Sequence, residues 1–135
     1  REVMSSNVTF FGASTRKIDM VDHEGNHHLV YAFGNIETTS AVKFHHIIPD
    51  NVLLANETKF KSLLNAIDYL KANNGVLIFI DSEYSSNQEL REFGVGAQIL
   101  KKLGIETINL LSSTQGKEYI GLAGFGLNID KEIVL

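Results

Sequence analysis

The sequence predicts an α/β fold of the α+β type, in which an N-terminal antiparallel β-meander is followed by α-β-α-β units on a mixed sheet. The first third of the chain alternates polar and apolar residues, as half-buried strands do. After residue 56 the apolar residues recur with the period of an amphipathic helix. Continuous apolar runs then follow each predicted helix, which is typical of strands covered on both faces. With 135 residues and no linker-like segment, the chain is expected to form one domain, 1–135.

Four strands are predicted in the first third of the chain. Their sequences are NVTFFG (7–12), TRKIDMVD (15–22), HHLVYAFG (27–34) and SAVKFHHI (40–47). The tetrapeptide HEGN, which separates the second and third strands, is typical of a hairpin turn because Gly25 and Asn26 tolerate positive φ. We therefore expect all four strands to form the antiparallel meander.

A helix is predicted over residues 57–73. Its apolar positions share the spacing of one helical face: Phe60, Leu63, Leu64, Ile67 and Leu70. Asn56 is a suitable N-cap, because its side chain can accept a hydrogen bond from an amide of the first turn. The sequence Asn73-Asn74-Gly75 favours the end of the helix.

The remaining elements alternate strands with helices. A buried strand is predicted over 76–80, and a helix over 87–103 that Ser86 caps and Gly104 ends. Gly94 and Gly96 lie inside this helix, where glycine costs about 1 kcal/mol relative to alanine, so we expect them to allow close packing. A further buried strand (106–111), a loop with a short helix (112–122) and a final strand (127–135) complete the prediction.

The composition excludes several classes of function. A net charge of −4 gives no basic face for nucleic acid. No apolar run reaches the roughly 18 residues of a membrane span, and the first residues lack the apolar region of a signal peptide. The absence of cysteine excludes disulfides and thiolate metal sites, and favours a cytoplasmic protein. Because the chain begins with Arg1 rather than Met, we expect it to be part of a longer polypeptide.

The histidines allow two interpretations. His23, His27 and His28 cluster around the predicted hairpin together with Asp22, and could form a surface metal site or merely a solvated hairpin tip. His45 and the residue after it are adjacent on a predicted strand, so their side chains point to opposite faces and cannot grip one metal ion together.

The stretch FGVGAQILKKLGIETINLLSSTQGKEYIGLAGFGLNIDKEIVL, residues 93–135, resembles the C-terminal part of GTP cyclohydrolase II. That family reads Y-G-x-G-A-Q-I-L and later T-N-N-P-x-K in the corresponding places. HHLVYAFGNI, AVKFHHI and FKSLLNAIDYLKANNGVLIFI resemble its N-terminal half more weakly. Together the resemblance covers nearly the whole chain and implies a GTP cyclohydrolase II-like fold.

The resemblance also implies that the family's metal chemistry is lost here. Members of the family hold zinc with three cysteine thiolates, and the metal activates the water that opens the guanine ring. In this chain the corresponding places hold Ile48, Asn56 and Thr58, and none of these is a good zinc ligand. We therefore expect a degenerate site with no metal and no cofactor in this domain.

A catalytic pair of the family is partly kept. Its motif D-x-R-x-Y-G corresponds to ELREFG here, so Glu89 stands for the proton acceptor and Arg91 for the arginine that acts at the α-phosphate. The alternative is that both are exposed residues at the start of a helix, where an acid is favoured by the helix dipole.

Four further positions are candidates for ligand binding by the same resemblance. Glu83 is what remains of the R-Q-E-G-R segment, and His45 corresponds to the histidine of the strand R-V-H-S-E-C. The loop SSTQGK keeps a hydroxyl at Ser112 and a lysine at Lys117. A loop at the carboxyl end of a buried strand is a natural place for a phosphate or nucleotide, although hydroxyl-rich loops are also common as plain turns.

In many bacteria a domain of this family is the C-terminal half of a bifunctional riboflavin protein. The N-terminal half, a lyase that uses Mg, makes 3,4-dihydroxy-2-butanone 4-phosphate from ribulose 5-phosphate. The resemblance thus implies a non-catalytic domain whose role is structural: it supports the lyase domain of the same polypeptide, forms a homodimer, or docks another riboflavin enzyme. The alternatives are a regulatory domain that binds a nucleotide or flavin, and an active GTP hydrolase whose metal site is rebuilt from His45 together with carboxylates such as Glu83 or Glu89.

Overall fold

The computed structural model describes residues 2–81, 88–113, 124 and 126–135, with the backbone alone at residues 2–3 and 88–93. The described residues form one mixed sheet with helices on both faces. The elements in chain order are β1 (Glu2–Phe10), β2 (Ala13–Val21), β3 (His27–Phe33), β4 (Thr39–His46), α1 (Asp50–Ala55), α2 (Glu57–Asn73), β5 (Gly75–Ile80), α3 (Gln88–Lys102), β6 (Thr107–Ser112) and β7 (Asn128–Val134).

The sheet has the strand order β1-β2-β3-β5-β4-β6-β7. The strands β1, β2 and β3 form an antiparallel ribbon, and β3 also pairs antiparallel with β5. The other pairings, β4 with β5, β4 with β6, and β6 with β7, are parallel. The predicted mixed α/β architecture is therefore confirmed. The prediction that the antiparallel meander extends through the fourth strand is wrong, because β4 lies between β5 and β6 and is parallel to both.

Each face of the sheet buries its own apolar cluster. On one face α3 packs through Ile99 and Leu100 against alternate residues of the central strands, such as Val42 and Ile78. On the other face α2 packs through Leu63, Ala66, Ile67 and Leu70, mainly against Leu77 and Leu111. The near-continuous burial along β5 agrees with its apolar sequence, because both faces of that strand are covered.

The limits of α2 are those predicted from its sequence. Asn56 caps its first turn, since the side-chain oxygen accepts a hydrogen bond from the Lys59 amide at 3.0 Å. The helix ends at Asn74, whose φ is 68°, and Gly75 follows with a φ of 138°. A Cβ at Gly75 would lie 2.4 Å from the Ala41 carbonyl oxygen, so this position requires glycine for space as well as for conformation.

The close packing of α3 depends on Gly96. A Cβ built there would lie 2.6 Å from Cε1 of Phe44 on β4, which confirms the expected role of this glycine. Gly104 ends the helix with a φ of 79°. The predicted cap Ser86, and most of the loop and short helix predicted after β6, lie outside the described residues.

The short helix α1 was not predicted. It follows Pro49, whose carbonyl oxygen accepts hydrogen bonds from the amides of Val52 and Leu53. It has only 6 residues and none of them is buried, so it carries no recognisable apolar period. No helix in the described part of the chain is long and apolar enough to cross a membrane.

The hairpin between β2 and β3 is held by a buried pair, Asp22 and His28. One carboxylate oxygen of Asp22 accepts the amides of Glu24 and Asn26 at 2.9 and 3.0 Å, and the other lies 2.7 Å from Nε2 of His28. His28 is 1% exposed, and its Nδ1 accepts the backbone N–H of Asp81 at 3.1 Å. Because Nδ1 accepts, Nε2 carries the ring proton and donates it to Asp22.

The electrostatics of Asp22 follow from these bonds. Burial raises the pKa of the Asp22 carboxyl, but the His28 bond and the two backbone N–H bonds outweigh burial and hold that pKa below its ordinary value. The neighbouring His27 is exposed and pairs separately with Asp19 at 3.0 Å. The hairpin histidines therefore do not converge on one metal position, and a group of three or more metal ligands is absent from the residues described.

The two adjacent histidines give a matched test of this pair. We expect His28→Ala to lower the free energy of unfolding by about 2–4 kcal/mol, because the buried Asp22 carboxylate loses its donor and the Asp81 amide its acceptor. His27→Ala is the control and should change the free energy of unfolding by less than about 0.5 kcal/mol, since the ion pair of His27 with Asp19 is largely solvated. Urea unfolding measures both, and equal losses in the two variants would contradict the role of the buried pair.

Candidate functional site

The predicted site residues that the structure describes lie at one edge of the sheet. Because β4, β5 and β6 are parallel, their carboxyl ends lie at the same edge, with His45 near the end of β4 and Ser112 at the end of β6. The two side chains do not share a face: by strand alternation His45 lies on the face covered by α2 and Ser112 on the face covered by α3. Glu83 and Lys117 lie outside the described residues. Glu89 and Arg91 belong to the first turns of α3, where only the backbone is described, so the predicted roles of all four side chains stay predictions.

Ser112 is buried at the end of β6. Its Oγ donates a hydrogen bond to Oε2 of Glu132 on β7 at 2.9 Å, which joins the two strands. A hydroxyl has a single proton, so this bond uses the donor that an anionic ligand would need. An anion at this position would therefore have to displace the Glu132 carboxylate.

His45 lies on the face of β4 that α2 covers. The side chain is 5% exposed, and its ring meets the Phe79 ring edge-on, with the ring centres 5.6 Å apart and the planes at 76°. Within the described part of the chain its ring nitrogens have no hydrogen-bond partner. Burial lowers the pKa of His45 to about 4, with smaller contributions from the positive charges of Lys59 and Lys43 and from the neighbouring histidine. The imidazole is therefore neutral at pH 7, with one donor and one acceptor nitrogen.

Beside His45 is an open pocket of about 290 Å³, which we call the β4 cleft. Its aromatic wall consists of Phe10, Tyr31 and Phe79, and its aliphatic wall includes Ile48 and Leu53. The centre of the Tyr31 ring lies 4.1 Å from that of Phe10 and 5.7 Å from that of Phe79. The β4 cleft thus combines stacked and edge-on aromatic rings with one polar ring, that of His45.

The β4 cleft occupies the corner where the resemblance places the zinc thiolates, and the residues present do not fit a zinc ion. Ile48 lines the cleft and has no ligand atom, while the side-chain oxygen of Asn56 is already bonded to the helix amide of Lys59. Thr58 is exposed in the first turn of α2. Among the residues described, His45 and the carboxylate of Asp50 are the possible zinc ligands in this corner, and two ligands are too few for a tetrahedral zinc site.

The aromatic wall and the buried Asp22–His28 pair were not predicted from the sequence. Phe10, Tyr31 and Phe79 come from three separate strands, so the contacts between them depend on strand order, which the sequence pattern does not encode. A usable signal was the position of Tyr31 and Phe79. Each is an aromatic residue in the interior of a predicted strand, one strand alternating and the other apolar throughout.

Comparison with known proteins identifies a family, relatives in sequence and a relative of known structure. The model of the GTP cyclohydrolase II family matches residues 52–134. The chain is 52% identical over 131 residues to a 3,4-dihydroxy-2-butanone 4-phosphate synthase of Sulfurospirillum multivorans, with 97% of this chain and 37% of the relative covered. It is 41% identical over 130 residues to a synthase of the same name from Wolinella succinogenes, with 96% and 38% covered.

The fold also has a solved counterpart. The structure is similar, with a TM-score of 0.67 and 23% identity, to that of RibBX, a two-domain 3,4-dihydroxy-2-butanone 4-phosphate synthase from A. baumannii. The match covers 100% of this chain and 40% of that one. The chain therefore spans less than half the length of each of these relatives, whose names describe much longer proteins.

The burial of His45 predicts a pH dependence of stability. The unfolded chain takes up a proton at this residue near the ordinary histidine pKa of about 6.5, whereas the folded chain does so only near pH 4. The unfolded state therefore binds more protons between these values, and the stability falls as the pH is lowered through this window, by on the order of 2 kcal/mol after allowance for solvent screening.

Urea unfolding of the wild type and of His45→Phe at several pH values between 7 and 4 tests this dependence. We expect the wild type to lose more stability than the variant across the window, since the variant has no ring to protonate. Parallel profiles for the two proteins would show that protonation of His45 is not coupled to folding.

Proposed function

Because the chain belongs to the GTP cyclohydrolase II family, we propose that it is a degenerate domain of that family without cyclohydrolase activity. It forms the C-terminal part of a cytoplasmic, bacterial riboflavin biosynthesis polypeptide. The other part is a Mg-dependent lyase that converts ribulose 5-phosphate into 3,4-dihydroxy-2-butanone 4-phosphate and formate. The role of the present domain is structural: it supports the lyase domain or docks another protein, within a homodimer.

The apolar corner at the end of β4 carries the proposal that the domain is not a cyclohydrolase. Hydrolysis of the guanine ring needs an activated water, and zinc supplies it by bringing the pKa of bound water to about 7. The sequence contains no cysteine, and the described residues of the corner present Ile48, Leu53, one neutral imidazole and the Asp50 carboxylate. One imidazole and one carboxylate are too few to hold a catalytic zinc ion, which needs three protein ligands.

Two observations support the link to a lyase domain. The Sulfurospirillum and Wolinella relatives, which carry the synthase name, match this chain over 37% and 38% of their length, and the solved relative is described as having two domains. In addition, Val52 and Leu54 of α1 are 48% and 61% exposed although they are large and apolar. Because residues two positions apart on a helix point in different directions, these two side chains are separate candidate contacts with another protein rather than one continuous patch.

A regulatory role is the second candidate, and the β4 cleft favours it. A domain that keeps a pocket after losing its chemistry can still bind a small molecule and change the behaviour of an attached domain. Calorimetry with GTP, GMP, FMN and ribulose 5-phosphate tests this role on the present chain. Absence of heat with all four would exclude regulation by these phosphorylated ligands.

A turnover assay tests the absence of cyclohydrolase activity. The chain is incubated with GTP, Mg²⁺ and added Zn²⁺, and formate is measured beside a protein-free control and a cysteine-containing member of the family. We expect no formate above the protein-free control and no zinc in the protein by elemental analysis. Formate that increases in proportion to this chain would contradict the proposal, and its loss in His45→Ala would point to a rebuilt metal site.

Removal of the domain tests its structural role. In the full-length protein we expect deletion of the segment that corresponds to this chain to lower soluble yield, lyase activity, or both. The double substitution Val52→Ser and Leu54→Ser is a milder test, because neither residue is buried in the domain itself. We expect it to leave the isolated chain folded and to weaken the full-length protein. A truncated lyase with unchanged yield and activity would contradict the role.

A further inference from the structure

The β4 cleft has the dimensions and walls of a small-molecule site. Its volume of about 290 Å³ is near the lower end of the range found for ligand pockets in proteins, which begins at about 300 Å³. Such pockets are typically lined by apolar and aromatic side chains with a few polar groups that fix orientation. The β4 cleft fits this description, because it is mostly apolar and His45 is a buried polar group within it.

The aromatic wall favours a flat ligand. Phe10, Tyr31 and Phe79 each lie within stacking or edge-on distance of the other two, with ring centres separated by 4.1, 5.7 and 6.2 Å. An added ring can join this arrangement with the same offset or edge-on geometry, which aromatic pairs prefer. A bulky saturated ligand would contact the ring faces less well.

His45 supplies an observation independent of the aromatic wall. The side chain is 5% exposed, lines the β4 cleft, and has no hydrogen-bond partner within the described residues. The buried polar atoms without a partner among the described residues do not include the nitrogens of His45, so its imidazole can hydrogen-bond to a molecule in the open cleft. The two ring nitrogens point in divergent directions, and a ligand can therefore donate to, or accept from, one of them.

The charge of the β4 cleft argues against a phosphate. Asp50 is the one charged side chain among its described lining residues, and its carboxylate would repel an anion. Lys43 and Lys59 act on His45 electrostatically but are not part of the described lining. An uncharged molecule therefore suits the β4 cleft better than a nucleoside phosphate.

We propose that the β4 cleft binds an uncharged, planar heteroaromatic molecule, stacked on the aromatic wall and hydrogen-bonded to one ring nitrogen of His45. This site deepens the regulatory role considered above, and it needs neither a metal ion nor hydrolysis. The polar edge sets the specificity, since a ring without a donor or acceptor would leave His45 unbonded.

Quinazolin-4-one is a suitable probe, because it is neutral and flat and carries a donor and an acceptor. We expect its addition to the wild-type chain to shift the NMR signals of Tyr31, Phe79 and His45. His45→Phe keeps a ring beside Phe79 but removes the hydrogen bond, and should weaken binding about tenfold. His46→Phe is the matched control: it lies on the opposite face of the same strand and should bind the probe like the wild type.

A second variant blocks the β4 cleft without changing its polar group. Leu53→Trp places a larger side chain at the aliphatic wall and should abolish the shifts, while the melting temperature of each variant shows that it is folded. Three outcomes would overturn the proposal: no shift at millimolar probe, equal binding by His45→Phe, or equal binding of inorganic phosphate or cyclohexanol. Release of formate from GTP would contradict the proposed function, but it would not change whether the probe binds the β4 cleft.

Discussion

The pairing of β4 with two parallel neighbours is the constraint on which the rest of the structure depends. The chain moves from β4 to β5 on one side, and then crosses back over β4 to reach β6 on the other side. Right-handed crossovers that move in opposite directions place their helices on opposite faces of a sheet. This is where α2 and α3 are found, and it is why the sheet is buried on both faces at its centre. The same pairing brings His45 and Ser112 to one edge.

Under the proposed function, that edge keeps the shape of the family scaffold while its chemistry differs. The corner between β4, α1 and α2 is lined, among the described residues, by aliphatic and aromatic side chains, one imidazole and one carboxylate, that of Asp50. Burial of the ring, with the nearby positive charges of Lys59 and Lys43, lowers the pKa of His45 and keeps the imidazole neutral. The low polarity of the corner suits a flat, uncharged ligand. It also raises the free-energy cost of placing charged catalytic groups there.

The sequence predicts well what is decided locally and poorly what is decided by distant pairing. The limits of α2 follow from five apolar residues at helical spacing, an asparagine N-cap and an Asn-Gly sequence that ends the helix, all within one segment. The place of β4 could not be predicted, because its alternation suits an antiparallel neighbour as well as a parallel one. For the same reason the residues of the aromatic wall and the Asp22–His28 pair were found only in the structure. His45 was identified by resemblance, but its neutrality depends on burial that the sequence does not state.

The hydrogen bond from the Asp81 amide to His28 has a consequence for how the molecule unfolds. It joins residues 53 positions apart, one at the start of β3 and the other just after β5. The ribbon of β1, β2 and β3 is also attached to the parallel half through the pairing of β3 with β5 and through packed side chains such as Ile18 and Phe10. Because of this additional hydrogen bond, opening the ribbon also exposes a buried imidazole and a buried carboxylate. The two halves of the sheet should therefore lose their amide-exchange protection together, as one cooperative unit, rather than in succession.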